Sequence, residues 1–258
     1  MKRFLKNPFN IRLTCRYVIN GLILVGIALL AGPLPLLGAE ENVLAPFEAE
    51  YLLKRGSFTV GSMHRRLYKD DKGYYIFESS ARPRGLLSLF TSHEIHEKSR
   101  WYFDQGKIIS QRYEYISGSR KKRKASTIEF HPDLSNARGT YKGRPWVITL
   151  PEKQPIYDRA NYQLALVLDI RNKREPLDYL FIKKGKIKNY RFKRTGHENI
   201  NTPAGHFRTT RIERVGDKRK TTIWLARELN YMPVKLEQDD EDGAHYTLLL
   251  KSFHVDTP

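Results

Sequence analysis

The sequence predicts a mainly β protein: a large curved antiparallel sheet or partly open β-barrel, with one short helix covering or plugging it. Three observations carry this expectation. Apolar residues recur at every second position along much of the chain. The aromatic complement of 15 Tyr, 12 Phe and 3 Trp suits packed strands. Turn signals recur at intervals too short for helices to lie between them. About ten or more strands in one sheet seldom stay flat, so the sheet should curl or split into a sandwich. A curled sheet encloses an apolar hollow, the usual place for a ligand.

The 258 residues carry 46 basic and 28 acidic side chains, a net charge of +18. Residues 1–16 hold Lys2, Arg3, Lys6, Arg12 and Arg16 with no acid, and Tyr17 to Ala39 is uncharged. A basic region, an apolar run and a small residue before Glu40 have the layout of a secretory signal, expected to span residues 1–39. An uncleaved anchor is the alternative, since the uncharged stretch is long enough to span a bilayer. Gly32, Pro33 and Pro35 weaken the last turns of such a helix. In both cases the positive flank stays in the cytoplasm and the remainder is exported, to the periplasm. Cys15, the one cysteine, precedes the apolar run, so it is not placed as the lipidated residue of a lipoprotein signal. Cleavage after Ala39 leaves 219 residues with 41 basic and 28 acidic side chains and no cysteine. Thiolate chemistry is then excluded, and stability must come from the core of a single domain over residues 40–258.

Phe47, Ala49, Tyr51 and Leu53 alternate with Glu48, Glu50 and Lys54, as a half-buried strand requires. A second strand, Gly73 to Ser80, follows the turn signal Asp70–Gly73. Trp101–Phe103 and Ile108–Ile116 flank Asp104–Lys107, which reads as a hairpin. Further hairpins are expected at Lys183–Lys186, Pro203–Gly205, Gly216–Lys218 and Glu241–Gly243. Arg84 to Phe90 is a compact apolar run, either one helical turn or a loop capping the sheet. Tyr157 to Asn172 is the helix candidate. Asp158 suits the N-cap, and Ala160, Leu164, Val167, Leu168 and Arg171 share a helical face. No fixed-period repeat is present, which argues against a propeller or solenoid.

Several strings resemble those of exported bacterial proteins of domain-of-unknown-function family 3108 (DUF3108). They are Pro46–Tyr51 followed by Val60–Gly61, Tyr157–Asp158 leading into the helix, Ile200–Phe207, Thr222–Ala226 and Leu229–Val234. The resemblance implies a periplasmic, mostly β protein over nearly all of residues 40–258, and it supplies no catalytic residues. Read from the residues themselves, these strings are structural. Thr202–Phe207 is a tight hairpin, Trp224 points away from the face shared by Ile223 and Leu225, and Pro233 suits an edge or strand start.

No catalytic residue, metal ligand set or cofactor is assigned. His93 and His96 are three apart, which in a strand places them on opposite faces, and the metal-protease spacing is not met. No nucleophile elbow, phosphate loop or dinucleotide fingerprint occurs. Asp239–Gly243 lacks the spacing of a calcium loop and reads as an acidic hairpin tip. The basic run Arg120, Lys121, Lys122, Arg123 and Lys124 would suggest nucleic acid in a cytosolic protein. In an exported one it reads as a solvated hairpin tip or a contact for anionic lipid or lipopolysaccharide. Arg65, Arg66, Arg82 and Arg84 could extend that ligand contact. The leading expectation is therefore a non-enzymatic, monomeric periplasmic protein that binds an amphipathic or anionic envelope component in or on a curved sheet, with no nucleic acid. The alternatives are an envelope hydrolase assembled from dispersed histidines and carboxylates, and a scaffold that engages an envelope protein through a sheet edge.

Overall fold

A computed structural model describes residues 44–85, 88, 92–119, 122–152, 154–216, 219–239 and 243–255. All of them fall in one compact unit, Glu40–Pro258. The expected signal segment lies outside the described residues, as do most of Arg84–Phe90 and the tips holding Arg120 and Lys121, Asp217 and Lys218, and Asp240–Asp242. Among the described residues no helix is long and apolar enough to cross a membrane.

Eight strands come first: β1 (Phe47–Arg55), β2 (Phe58–Lys69), β3 (Tyr75–Pro83), β4 (Glu94–Asp104), β5 (Lys107–Ser119), β6 (Lys122–Phe130), β7 (Asn136–Tyr141) and β8 (Arg144–Thr149). The short β9 (Ile156–Tyr157) leads into helix α1 (Asn161–Arg171). Then follow β10 (Leu177–Lys183), β11 (Lys186–Thr202), β12 (Gly205–Val215), β13 (Thr221–Ala226), β14 (Met232–Asp239) and β15 (His245–Val255). All fifteen strands form one sheet, in the order β8 back through β1, then β15 back through β9. The first and last strands therefore pair at the centre, Phe47 opposite Val255 and Arg55 opposite Tyr246. Every pairing is antiparallel except β9 with β10.

The alternation has its expected effect. Phe47, Ala49 and Tyr51 are buried on the inner face, while Glu48 and Glu50 lie outside and pair with Arg66 and Arg84. The β4–β5 turn places Gln105 and Gly106 at φ 48° and 72°, and the β10–β11 turn places Lys184 and Gly185 at 55° and 70°. Paired positive φ values are the tight two-residue hairpin whose twist matches the flanking strands. Pro233 lies at a strand start, though β14 is an interior strand, and its carbonyl accepts the Tyr51 hydroxyl at 2.9 Å.

The helix differs from expectation in two respects. Tyr157 does not open it but pairs in β9 opposite Phe181, and the first helical residue is Asn161. Asp158 still serves the helix start, its Oδ1 accepting the Ala160 and Asn161 N–H groups at 2.7 and 2.9 Å. Nor is α1 one-faced. Leu164, Ala165, Leu166, Val167 and Leu168 are consecutive and all buried, because the sheet curls around the helix and packs it from several sides. Five inward serines on β3 to β6 (Ser79, Ser99, Ser110, Ser117, Ser126) are buried and small, which leaves room for it.

The curl almost closes. No backbone ladder joins β8 to β9 among the described residues. Trp146 of β8 instead sits over Gly139 and across the seam against Gly185. A Cβ at Gly185 would come within 2.8 Å of the Trp146 ring. Gly185→Ala should therefore cost about 2 kcal/mol in a thermal melt, combining positive φ with the clash. Gly143→Ala, at φ 77° with open space around it, should cost roughly half as much. Equal losses would show that the seam is loosely packed.

Candidate functional site

Most of the hollow that the curved sheet suggests is filled by α1 and by aromatic packing. What remains is a cavity of about 260 Å³ between α1 and the inner faces of β2, β4 and β10 to β15. Its apolar wall comes from Leu166 and Val167 of α1 and from Phe181, Phe192, Ile223, Leu225, Leu236 and Leu248 of the sheet. Tyr162, stacked on Phe181 at 5.0 Å and edge-on to Tyr190 at 5.8 Å, fixes the helix against that wall.

Among the described residues, five cations line this apolar space, Arg65, Arg159, Lys183, Arg214 and Arg219, against one carboxylate, Glu97. Arg65 is placed by parity, since β2 turns Arg65 and Leu67 inward and Arg66 outward. It is only 8% exposed. One guanidinium nitrogen donates to Gln163 Oε1 at 3.1 Å, the group lies over the Tyr51 and Phe77 rings, and Nε has no partner. Among the described residues no carboxylate pairs with it. Among the described residues this buried cation is held by a neutral amide and two ring faces, which offset only part of its desolvation cost.

Glu97 is committed elsewhere. It accepts the Tyr113 hydroxyl at 2.6 Å and pairs with Arg159 at 3.3 Å. Arg214 lies over the Tyr190 ring at 4.5 Å and donates to the Arg219 carbonyl at 2.8 Å. Lys183 reports the local field: its pKa is lowered by burial and then by Arg159, Arg219, Lys184 and Arg214. The cavity is thus electropositive as well as apolar.

The basic residues expected to bind ligand are not brought together. Arg65 faces the cavity. Arg66 and Arg84 lie on the outer face, paired with Glu48 and Glu50, and exposed Arg82 lies there too. Lys122, Arg123 and Lys124 are exposed at the start of β6, and Arg120 and Lys121 fall outside the described residues. The members sequence reasoning missed are Arg159, Lys183, Arg214 and Arg219. For two of the five cavity cations a signal existed, since Arg65 and Arg214 each stand two residues from a buried apolar residue of the same strand, Leu67 and Ile212.

All eight histidines are exposed. His93 precedes β4 and bonds Ser117, whereas His96 points outward beside Glu94. Among the described residues no three His, Cys, Asp or Glu side chains are gathered as a metal would need. Trp224 points outward as expected yet is buried, enclosed by Arg211, Lys235 and a bond to Glu198 at 2.9 Å.

A single antiparallel sheet curled around a helix, with the seam closed by side chains, defines a β-barrel-like protein. The chain belongs to the family of proteins of unknown function DUF3108, whose model matches residues 50–251. The fold is similar to that of a β-barrel-like protein of DUF1849 from Brucella abortus, at 10% identity and TM-score 0.54, over 83% of this chain and 99% of that one. A candidate lipoprotein from Parabacteroides distasonis matches at 9% identity and TM-score 0.31, over 82% of this chain and 96% of the other. A candidate exported protein with a YmcC-like fold from Bacteroides fragilis matches at 11% identity and TM-score 0.27, over 81% and 94%. Among curated proteins, none matches.

Proposed function

We propose that this is an exported periplasmic protein that binds, without transforming, an anionic amphipathic component of the cell envelope in the cavity beside α1. The observation that carries this reading is Arg65, a buried cation that faces an apolar cavity and, among the described residues, is paired with no carboxylate. An anionic head group would supply the missing charge, reaching Arg65, Arg159 and Lys183, while its apolar part lies along Leu166, Phe181 and Leu225. At about 260 Å³ the space lies just under the ~300–1,000 Å³ of common ligand pockets, so it suits a single acyl chain or head group. A multi-chain lipopolysaccharide would meet only the surface. The signal-like N-terminus and the basic balance support an envelope location. The protein acts as a monomer in this reading.

A hydrolytic role draws no support from histidines that are all exposed. Two measurements test the binding reading. Organic extraction of the purified protein followed by mass spectrometry should recover an anionic lipid. Dodecyl phosphate should displace a fluorescent fatty acid at least ~10-fold more effectively than dodecanol, since charge-assisted bonds are the strong ones. Recovery of no lipid together with no displacement would sink the proposal.

A further inference from the structure

We propose that the hairpin tips beside the sheet seam form a docking surface for an anionic phospholipid bilayer. In an up-and-down antiparallel sheet alternate turns fall at alternate ends. The β5–β6, β7–β8 and β10–β11 turns therefore share one end, though they lie far apart in sequence. The curl then brings the last two together across the seam. Trp146, two residues after the β7–β8 turn ends, abuts Gly185 of the β10–β11 turn.

The side chains gathered there are exposed cations: Arg123 and Lys124 on β6, Lys142 and Arg144 at the second turn, Lys184 and Lys186 at the third. Lys142 and Lys184 both lie against the ring of Tyr141, at 5.6 and 5.4 Å from its centroid, so two like charges gather at one aromatic side chain. Among the described residues none of the six has a carboxylate partner. Self-repulsion of this kind is relieved by a polyanionic surface. Val147, beside Trp146, is 71% exposed and adds an apolar contact at the same place.

The other end is different in character. Its turns carry Asp70, Asp71, Asp104 and Asp133, with Glu152 just after β8, interspersed with Lys72, Lys107 and Arg227. The acidic β14–β15 turn, entered at Asp239, shares the end with the seam tips, but its strands stand at the middle of the sheet order, away from the seam. The unpaired positive charge is therefore concentrated at the seam, and a negatively charged plane would select the seam side of that end. Long cations without fixed hydrogen-bond partners, and one exposed apolar side chain in place of an aromatic anchor cluster, match a fluid anionic surface better than a shaped protein partner. The cavity's Lys183 adjoins Lys184, so docking would bring the head-group layer beside the electropositive cavity. Docking itself does not require the cavity to be occupied.

The test uses residues 40–258, which hold the entire sheet, helix and core, in co-sedimentation with vesicles of phosphatidylcholine alone or with about one third phosphatidylglycerol. Binding should need the anionic lipid and fade at ~0.5 M salt, where screening is nearly complete. Replacing Lys142, Lys184 and Lys186 together by Gln should lower the partition coefficient on the order of 100-fold. Replacing Lys72, Lys107 and Arg227, at the opposite end, by Gln removes the same charge and should change it less than about 3-fold. Equal losses in the two triple variants, equal binding to both vesicles, or no binding would overturn the proposal. Arg65→Met separates the readings: it should abolish dodecyl phosphate binding in the cavity and leave vesicle binding intact.

Discussion

Asp158→Ala should lower stability by at least ~4 kcal/mol, roughly a 10 °C fall in melting temperature for a chain of this size. Asp158 is 0% exposed. Its carboxylate accepts the Ser99 hydroxyl at 2.5 Å and the backbone N–H groups of Ala160 and Asn161, and Asn161 in turn bonds Ser110 at 2.9 Å. Alanine leaves three buried donors without an acceptor, each costing about 1–3 kcal/mol. The same bonds tie α1 to β4 and β5, so the loss would loosen the helix within the sheet.

Asp158→Asn should behave in the opposite way. Burial pushes the Asp158 pKa up from 3.8 to about 7, against the pull of its three donors. The native state then holds a proton that the unfolded chain has lost between pH 4 and 7. Stability from this group is therefore greatest below about pH 4 and falls as pH rises to 7, by on the order of 4 kcal/mol in all. Asparagine keeps an acceptor for the two N–H groups, can donate to Ser99, and does not ionise. Urea melts at pH 5 and pH 8 should show the Asp158→Asn variant gaining a few kcal/mol on the wild type at the higher pH only. Parallel curves at both values would disprove the assignment.

The second large effect concerns Arg65. Arg65→Met should stabilise the ligand-free protein by about 1–3 kcal/mol, because an uncompensated buried cation gives way to an apolar side chain of similar length. The same substitution should weaken binding of an anionic amphiphile by ~100-fold or more, while a neutral chain of equal length binds as before. A gain in stability coupled to a loss of affinity is the mark of a functional buried charge. A loss of stability with unchanged affinity would instead make Arg65 a structural residue held by Tyr51, Phe77 and Gln163.

Part of this was legible along the chain. The period-two runs around Phe47–Tyr51, the Asp104–Lys107 and Lys183–Lys186 turns and the helix after Asp158 could be read because alternation and turn chemistry are local. The helix's full enclosure was not legible. Leu164 to Leu168 show no polar side, but whether such a run is merely apolar or wrapped on all sides depends on strands far away in sequence.

The order of residues alone was enough to specify a large curved antiparallel sheet with one short helix covering or plugging it, since strand period, turn residues and caps are settled within a few neighbours. It took the assembled fold to pair β1 with β15 at the centre, to close the seam with Trp146 on Gly185, and to make Arg65, Arg159, Lys183, Arg214 and Arg219 converge. Parity tells which side of a strand a cation takes, but the curvature of the whole sheet sets which cations meet, and that curvature belongs to no single segment.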